Sequence, residues 1–386
     1  MLLIKNINIY SPTSLGKKDI LICYDKILYI SEDIKIPENF PDCKTIDGSN
    51  FTALPGIVDL HVHIAGAGGE GGFSSRTPEM TLSNLTLNGI TTCVGLLGTD
   101  GSTRSMGNLL AKANSLDEEG ITTYIWTGSY QIPTRTLTSS ARGDIIFVDK
   151  IIGIGEIAIS DHRGSHPSDY DLIHLASEAR VGGLISGKCG ITHIHIGDGR
   201  SMIDPLKHLV ESSEIPLYNI LPTHINRNSK LFKECIDYCK LGGYVDITTG
   251  IRPNGDDVVD PTTSYRALLD EGCNIENITM SSDSGGSMPI FNESGKLEDL
   301  TIGLPSTNLE VFRDLVRDGM SIDKAIIPLT SNPSKLLKLL DKGHIKEGFS
   351  ADIMLLDKDY NLHTLISRGK IMVENYKAVV KGKFEA

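Results

Sequence analysis

The chain has 386 residues, of which 40% are hydrophobic, and a formal net charge of −12. Its basic residues are scattered, so neither a nucleic-acid backbone nor an anionic membrane would be neutralised, which weighs against both partner classes. This length buries a substantial core without metal or disulfide staples, and allows one large domain plus a small one, or two comparable ones. The first residues, "MLLIKNINIYSP", form an apolar run broken at Lys5. The run is too short for a signal peptide, and no apolar span long enough for a membrane occurs, so a soluble cytoplasmic protein is expected. Seven cysteines occur (Cys23, Cys43, Cys93, Cys189, Cys235, Cys239 and Cys273), an odd count with no CxxC pair. They read as small apolar side chains in a reducing compartment.

In chain order, residues 1 to about 53 alternate apolar and polar: "LLIKNINIY", "DILICYDKILYISED", "CKTIDGSNFTAL". These are expected to form short antiparallel strands with Gly, Asn and Asp turns. The middle differs. Eight short apolar runs read as buried parallel strands: "GIVDLHVHI", "TTCVGLLG", "TTYIWTGSY", "KIIGIGEIAIS", "GITHIHIG", "LYNILPTHI", "GYVDITTGI" and "ITMSSDSG". Helical patterns separate most of them. "SKLFKECIDYCKLGG" predicts a helix with Ser229 as N-cap and a glycine stop, and "SLDEEG", "ARVGG" and "LLDEG" are each expected to close a helix on glycine. The C-terminal segments "ADIMLLD" and "LHTLISRGKIMVENYKAVVKG" return to short strands.

The expected architecture is a (β/α)8 TIM barrel over residues 54–346, with residues 1–53 and 347–386 joined in one small β-sandwich domain. A doubly wound sheet could also take eight strands. No solenoid repeat is present.

Barrel chemistry sits at the C-terminal strand ends. His61 and His63 close the first strand, Thr99 follows the second and Tyr130 ends the third. Glu156 lies in the fourth with Arg163 beyond it. His195 and His224 sit near the ends of the fifth and sixth, and Asp283 ends the eighth. His61 and His63 point the same way because strand side chains alternate. An HxH pair alone is as compatible with hydrogen-bonded core histidines. His195, His224 and Asp283 on other strand ends tip the reading toward metal. Imidazole and carboxylate donors suit Zn2+, and this set exceeds what one tetrahedral ion needs. It fits two ions bridged by hydroxide and a carboxylate. His193, deeper in its strand, reads as packing. "GAGGE" is no phosphate loop, because no GK[ST] follows.

Taken together, these residues resemble the amidohydrolase superfamily and, within it, the bacterial isoaspartyl dipeptidase family, zinc enzymes that cleave β-aspartyl dipeptides. The resemblance spans the chain and rests on "PGIVDLHVHIAGAGGE", "RTPE", "GLLGTD", "ISDHR", "RVGGL", "LPTHINRN" and "SSDSGGS". It implies that His61 and His63 hold one zinc with Asp283, and that His195 and His224 hold the other. Asp283 would shuttle the proton and Tyr130 would donate to the scissile carbonyl. Glu70 would hold the substrate's α-amino group, with Thr99 and the Gly68 backbone nearby. Arg163, Arg227 and Ser287 would hold its carboxylates. A homo-octamer is also implied.

One departure stands out. The best-known members carry a carboxylated lysine in strand four that bridges both metals, whereas "IIGIGEIAISDHR" has none. Alignment from the two sides places Gly155 or Glu156 at that position, so one residue is inserted. A glutamate is shorter by roughly 3 to 4 Å, from ordinary bond lengths. A bulge formed by the extra residue could bring its carboxylate inward. Glu156 is therefore expected to bridge the zincs. The competing reading is an acid behind a single-metal site.

The expected reaction is attack of a metal-bridging hydroxide on the isopeptide carbonyl. The alternatives are a cyclic-amide hydrolase of dihydroorotase or hydantoinase type on the same site, or a non-catalytic scaffold assembled through the barrel's outer face.

Overall fold

The computed structural model describes residues 1–37, 42–251, 257–292, 294 and 296–385. Strands β1 (Leu2–Tyr10), β2 (Ser14–Cys23) and β3 (Lys26–Ser31) pair antiparallel in sequence, as their alternation predicts. β4 (Lys44–Asp47) and β5 (Thr52–Pro55) instead return parallel to β1. In β1, strict alternation would put Ile4 and Ile7 on opposite faces, yet both are fully buried. A register shift between them, with Asn6 at φ 58°, restores Ile7 to the core face.

The eight apolar runs all form strands. β6 (Ile57–Val62), β7 (Ile90–Gly95), β8 (Thr122–Thr127), β9 (Ile151–Ile159), β10 (Ile191–Ile196) and β11 (Ile220–Thr223) make a parallel sheet in chain order. β12 (Val245–Thr248) and β13 (Ile278–Ser281) form a parallel pair. The Thr223 hydroxyl donates to Asp246 Oδ2 at 2.7 Å, joining β11 to β12. A parallel bridge between Val62 and Ser284 joins β6 to the residues just past β13. The last strand thus returns to the first, which a doubly wound sheet cannot do, and the fold is of TIM-barrel type. After β13 comes a hairpin, β14 (Ser287–Phe291) and β15 (Leu297–Ile302).

Two helix expectations need correction. The helix Ser229–Lys240 is capped by the Asn228 side chain, which accepts from the Leu231 amide, so Ser229 is its first residue rather than its cap. "ARVGG" does not end a helix. Gly182 and Gly183 lie inside the helix Asp169–Ser186, which stops at Gly187 with φ 74°. A Cβ at Gly183 would stand 2.6 Å from the Gly190 Cα, so glycine serves close packing there instead of termination.

The C-terminal strands β16 (Ile353–Leu356), β17 (Leu362–Ser367), β18 (Lys370–Glu374) and β19 (Lys377–Ala378) join the N-terminal ones. Hydrogen bonds link all nine into one sheet, ordered β19-β18-β17-β16-β5-β1-β2-β3 with β4 also on β1. Two facing sheets were expected. β5 joins the strands of the two termini, because it pairs with β1 on one side and with β16 on the other. This sheet has its own core, centred on Ile4, Ile7, Ile20, Ile353 and Ile366. All seven cysteines are free, and five of them are buried, as small apolar groups would be. Among the described residues no helix is long and apolar enough to cross a membrane.

Asp117, at the end of the helix Met106–Glu119, ties barrel to sheet. It accepts from Lys150 Nζ at 2.6 Å and from Arg368 Nη1, just past β17, at 2.8 Å. Burial pushes its carboxyl up, but Lys150 and Arg368 outweigh this and hold it below its ordinary value of 3.8. A carboxyl lowered in the folded state stabilises above its unfolded pKa and loses that contribution as pH falls through the folded one. Asp117→Asn is therefore expected to cost roughly 1–2 kcal/mol in urea unfolding at pH 7. The difference from the parent should shrink steadily as the pH is taken below about 4.

Candidate active site

The strand ends converge as the alternation of β6 requires. His61 and His63 project to one side, with ring centroids 5.4 Å apart. Around them gather Glu156 from β9, His195 from β10, His224 just past β11 and Asp283 just past β13. All six are buried. Glu156 is central. Its Oε2 lies 3.6 Å from His61 Nε2, 3.0 Å from His195 Nδ1 and 3.4 Å from His224 Nε2, and its Oε1 lies 3.6 Å from His63 Nε2. Asp283 Oδ1 closes the other side, 3.3 Å from His61 Nε2 and 3.1 Å from His63 Nε2.

β9 carries a bulge where one was expected. Thr192 in β10 pairs with Ile154 but Ile194 pairs with Ile157, so three residues of β9 answer two of β10. The bulge falls on Gly155 and Glu156 and turns the carboxylate into the barrel. Only glycine fits at 155. Its φ is +156°, and a Cβ there would meet His193 Cβ at 2.8 Å and His193 O at 2.9 Å.

His193 corrects the expectation of mere packing. Its Nδ1 is 3.2 Å from the Leu221 carbonyl, which can only accept, so Nδ1 carries the proton. Its Nε2 is then an acceptor for His61 Nδ1–H at 2.8 Å. Burial holds His193 well below the usual histidine range, so it stays neutral and keeps this role. His224 Nδ1 meets the Thr248 hydroxyl at 2.7 Å. With their Nδ1 atoms so engaged, His61 and His224 turn Nε2 to the cluster.

The electrostatics call for positive charge. Burial would raise Glu156 and Asp283, yet the facing imidazoles outweigh it and hold both carboxyls well below the ordinary range. Burial lowers His61, but Glu156 and Asp283 overcome it and push the ring up to about 9. His61 Nε2, His63 Nδ1 and Asp283 Oδ1 are buried without a hydrogen-bond partner among the described residues. A buried nest of imidazole nitrogens and carboxylate oxygens this close together fits divalent cations. Two of the candidate ligand groups, His61–His63–Glu156 and Glu156–His195–His224, share Glu156.

A cavity of about 1170 Å3 opens over this cluster. Tyr130 lines it, with its hydroxyl 2.9 Å from His195 Nδ1. Burial raises the Tyr130 phenol well above its usual value, which keeps the group a donor. Glu70 accepts from Thr99 Oγ1 at 3.0 Å and from Ser287 Oγ at 2.9 Å, and lies 3.4 Å from Arg163 Nη1. Arg227 also lines the cavity, with its Nη1 3.9 Å from Asp198. Gly68 lies in the glycine-rich loop two residues before Glu70. It bridges to Arg76 across its own loop, at φ 81°.

Two polar residues at the site escaped the sequence reading. Asp161 binds both His195 and Arg163; its place in "ISDHR", two residues before Arg163, was the available signal. Arg104, also buried, donates to the Ala65, Ala67 and Thr77 carbonyls and so staples the glycine-rich loop. A lone arginine carried no such signal.

The profile of the amidohydrolase family matches residues 158–372, more than half of the chain. The chain belongs to that family. A β-aspartyl dipeptidase from Fervidobacterium islandicum AW-1, solved in complex with β-Asp-Leu, superposes with a TM-score of 0.92 at 39% identity. The match covers 98% of this chain and 97% of that one. Within the amidohydrolases, the chain therefore groups with the β-aspartyl dipeptidases, hydrolases that act on a peptide bond. More distant is the adenine deaminase of Clostridium perfringens, 25% identical over 413 residues, covering 100% of this chain and 61% of that protein. The chain thus spans about three-fifths of the length of that relative. A dihydroorotase of Aquifex aeolicus is 25% identical over 433 residues, covering 99% of this chain and 96% of its own.

Gly155→Ala tests the bulge. The added methyl forces β9 away from His193 and drags Glu156 with it, at a cost of about 1–3 kcal/mol. Reduced thermal stability together with weakened divalent-cation binding is the expected outcome. Parent-like values for both would show that the strand tolerates a side chain there.

Proposed function

We propose that this chain hydrolyses β-aspartyl (isoaspartyl) dipeptides with two zinc ions. His61, His63 and Asp283 would hold one ion, His195 and His224 the other, and Glu156 both. The observation that carries the reading is the charge layout over the cluster. Glu70 is steadied by the Thr99 and Ser287 hydroxyls, and Arg163 and Arg227 are among the charged groups that line the same cavity. A β-aspartyl dipeptide carries one ammonium and two carboxylates, which that set matches.

When bound, zinc supplies Lewis acidity toward an amide carbonyl and brings the pKa of a water to about 7. The chain's own residues do the rest. Glu70 receives the substrate ammonium, while Arg163 and Arg227, with Ser287, hold its carboxylates. Gly68 supports from behind by fixing the loop that carries Glu70. The Tyr130 hydroxyl donates to the carbonyl oxygen as it gains charge. Asp283 takes the proton released by the attacking water and returns it to the leaving nitrogen as the C–N bond breaks. Free cysteines suit the cytoplasm, where we place the enzyme as a homo-oligomer.

Steady-state assays with β-Asp-Leu test this directly. Chelation should abolish turnover, Zn2+ should restore it, and metal analysis should find two zincs per chain. Full activity with one zinc would remove Glu156 as a shared ligand. Dihydroorotate and hydantoins belong in the same panel, since the Aquifex relative is a dihydroorotase. Turnover of those compounds without turnover of β-Asp-Leu would make this a cyclic-amide hydrolase. A folded protein that takes up no metal would favour the scaffold reading.

Two substitutions separate the roles. Tyr130→Phe should lower kcat by roughly 10²–10³-fold with little change in KM, the scale of one lost oxyanion donor. Arg227→Ala should act chiefly on kcat/KM, and unchanged kinetics would remove Arg227 from the site.

A further inference from the structure

We infer that Asp161 is a positioning residue that fixes the metal-facing nitrogen of His195 and, through the same carboxylate, the guanidinium of Arg163. The inference rests on the proposed roles of His195 as a zinc ligand and Arg163 as a substrate-binding group. Asp161 follows β9 and is buried, with 6% of its surface exposed. Its Oδ1 accepts from the Arg163 backbone amide at 2.8 Å and from Arg163 Nε at 3.0 Å. Its Oδ2 accepts from Arg163 Nη2 at 2.7 Å and meets His195 Nε2 at 2.9 Å. An ionised carboxylate can only accept, so His195 Nε2 must carry the proton. Nδ1 is the nitrogen on the cluster side of the ring, 3.0 Å from Glu156 Oε2 and 2.9 Å from the Tyr130 hydroxyl. Without Asp161 the ring could take the other tautomer and present an N–H to the cluster.

The backbone is shaped for this contact. Gly197, just past β10, faces Asp161 so closely that a Cβ there would sit 2.6 Å from the Asp161 Cβ. The Gly199 amide donates to the Ser160 carbonyl at 2.6 Å and holds the turn from behind. From Asp161 a polar chain runs through Arg163 to Glu70 and on to Ser287 and Thr99. One carboxylate thus orients a ligand of the metal cluster and an arm of the substrate site.

The test uses zinc alone, titrated into metal-free protein against a chromophoric chelator with no substrate present. Asp161→Ala should weaken one zinc site by 10–100-fold, the usual effect of deleting a carboxylate behind a ligating histidine. Arg163→Ala leaves Asp161 bonded to His195 and to the residue-163 amide, so it should keep parent-like zinc affinity while raising KM for β-Asp-Leu. Should Asp161→Ala fail to fold, Asp161→Asn carries the test. Its amide can accept from His195 only by turning its NH2 on Arg163, so zinc affinity or KM must suffer.

Parental affinity at both zinc sites in Asp161→Ala, or in Asp161→Asn with KM also unchanged, would overturn the inference. So would an equal loss of zinc in Arg163→Ala. If zinc binding weakens as expected but the parent leaves β-Asp-Leu intact, the positioning role stands and the dipeptidase reading falls.

Discussion

The site depends on one buried carboxylate being reachable from four sides. Glu156 stands within 3.0–3.6 Å of nitrogens on His61, His63, His195 and His224, at the centre of a ring where no single pair of strands could assemble that contact. A negative charge so far from water is costly unless positive charge surrounds it. The same cost makes the cluster selective for cations and intolerant of being half built.

Getting Glu156 there required a departure from regular β structure. In an unbroken strand the period of two would assign each residue of β9 to a face. The bulge at Gly155–Glu156 breaks that period and brings the Glu156 carboxylate in among the four imidazoles. The glycine is part of the device, because His193 occupies the space a Cβ would take. His193 in turn orients His61, so the bulge and one ligand's tautomer are secured by the same side chain.

The surrounding fold holds the site steady and leaves one side open. Arg104 pins the loop that carries Glu70 through three main-chain carbonyls. Directly after β13, the β14–β15 hairpin contributes Ser287 to Glu70 and Met288, Pro289 and Ile290 to the cavity wall. At the sheet side, Asp117 and the buried Lys342–Asp352 pair at 2.6 Å lock the terminal sheet against the barrel, away from the cluster.

Much of this was legible in the chain itself. Short runs rich in apolar residues mark all eight barrel strands, because a strand buried on both faces cannot alternate apolar with polar. The polar residues that interrupt those runs at their ends mark His61, His63, His195, His224 and Asp283, because a charged group in that position survives only with a purpose. Tertiary structure decided what local pattern could not carry. The glycines of "ARVGG" look like a stop, but Gly183 is there for the contact with Gly190, a residue on a different element. The single nine-stranded sheet depends on β5 finding partners from both ends of the chain. The roles of His193 and Asp161 follow from which atom each faces across neighbouring strands. Periodicity specifies which face a side chain takes, since that is local geometry. Which nitrogen keeps its proton is set by partners distant in sequence, and only the closed barrel brings those together.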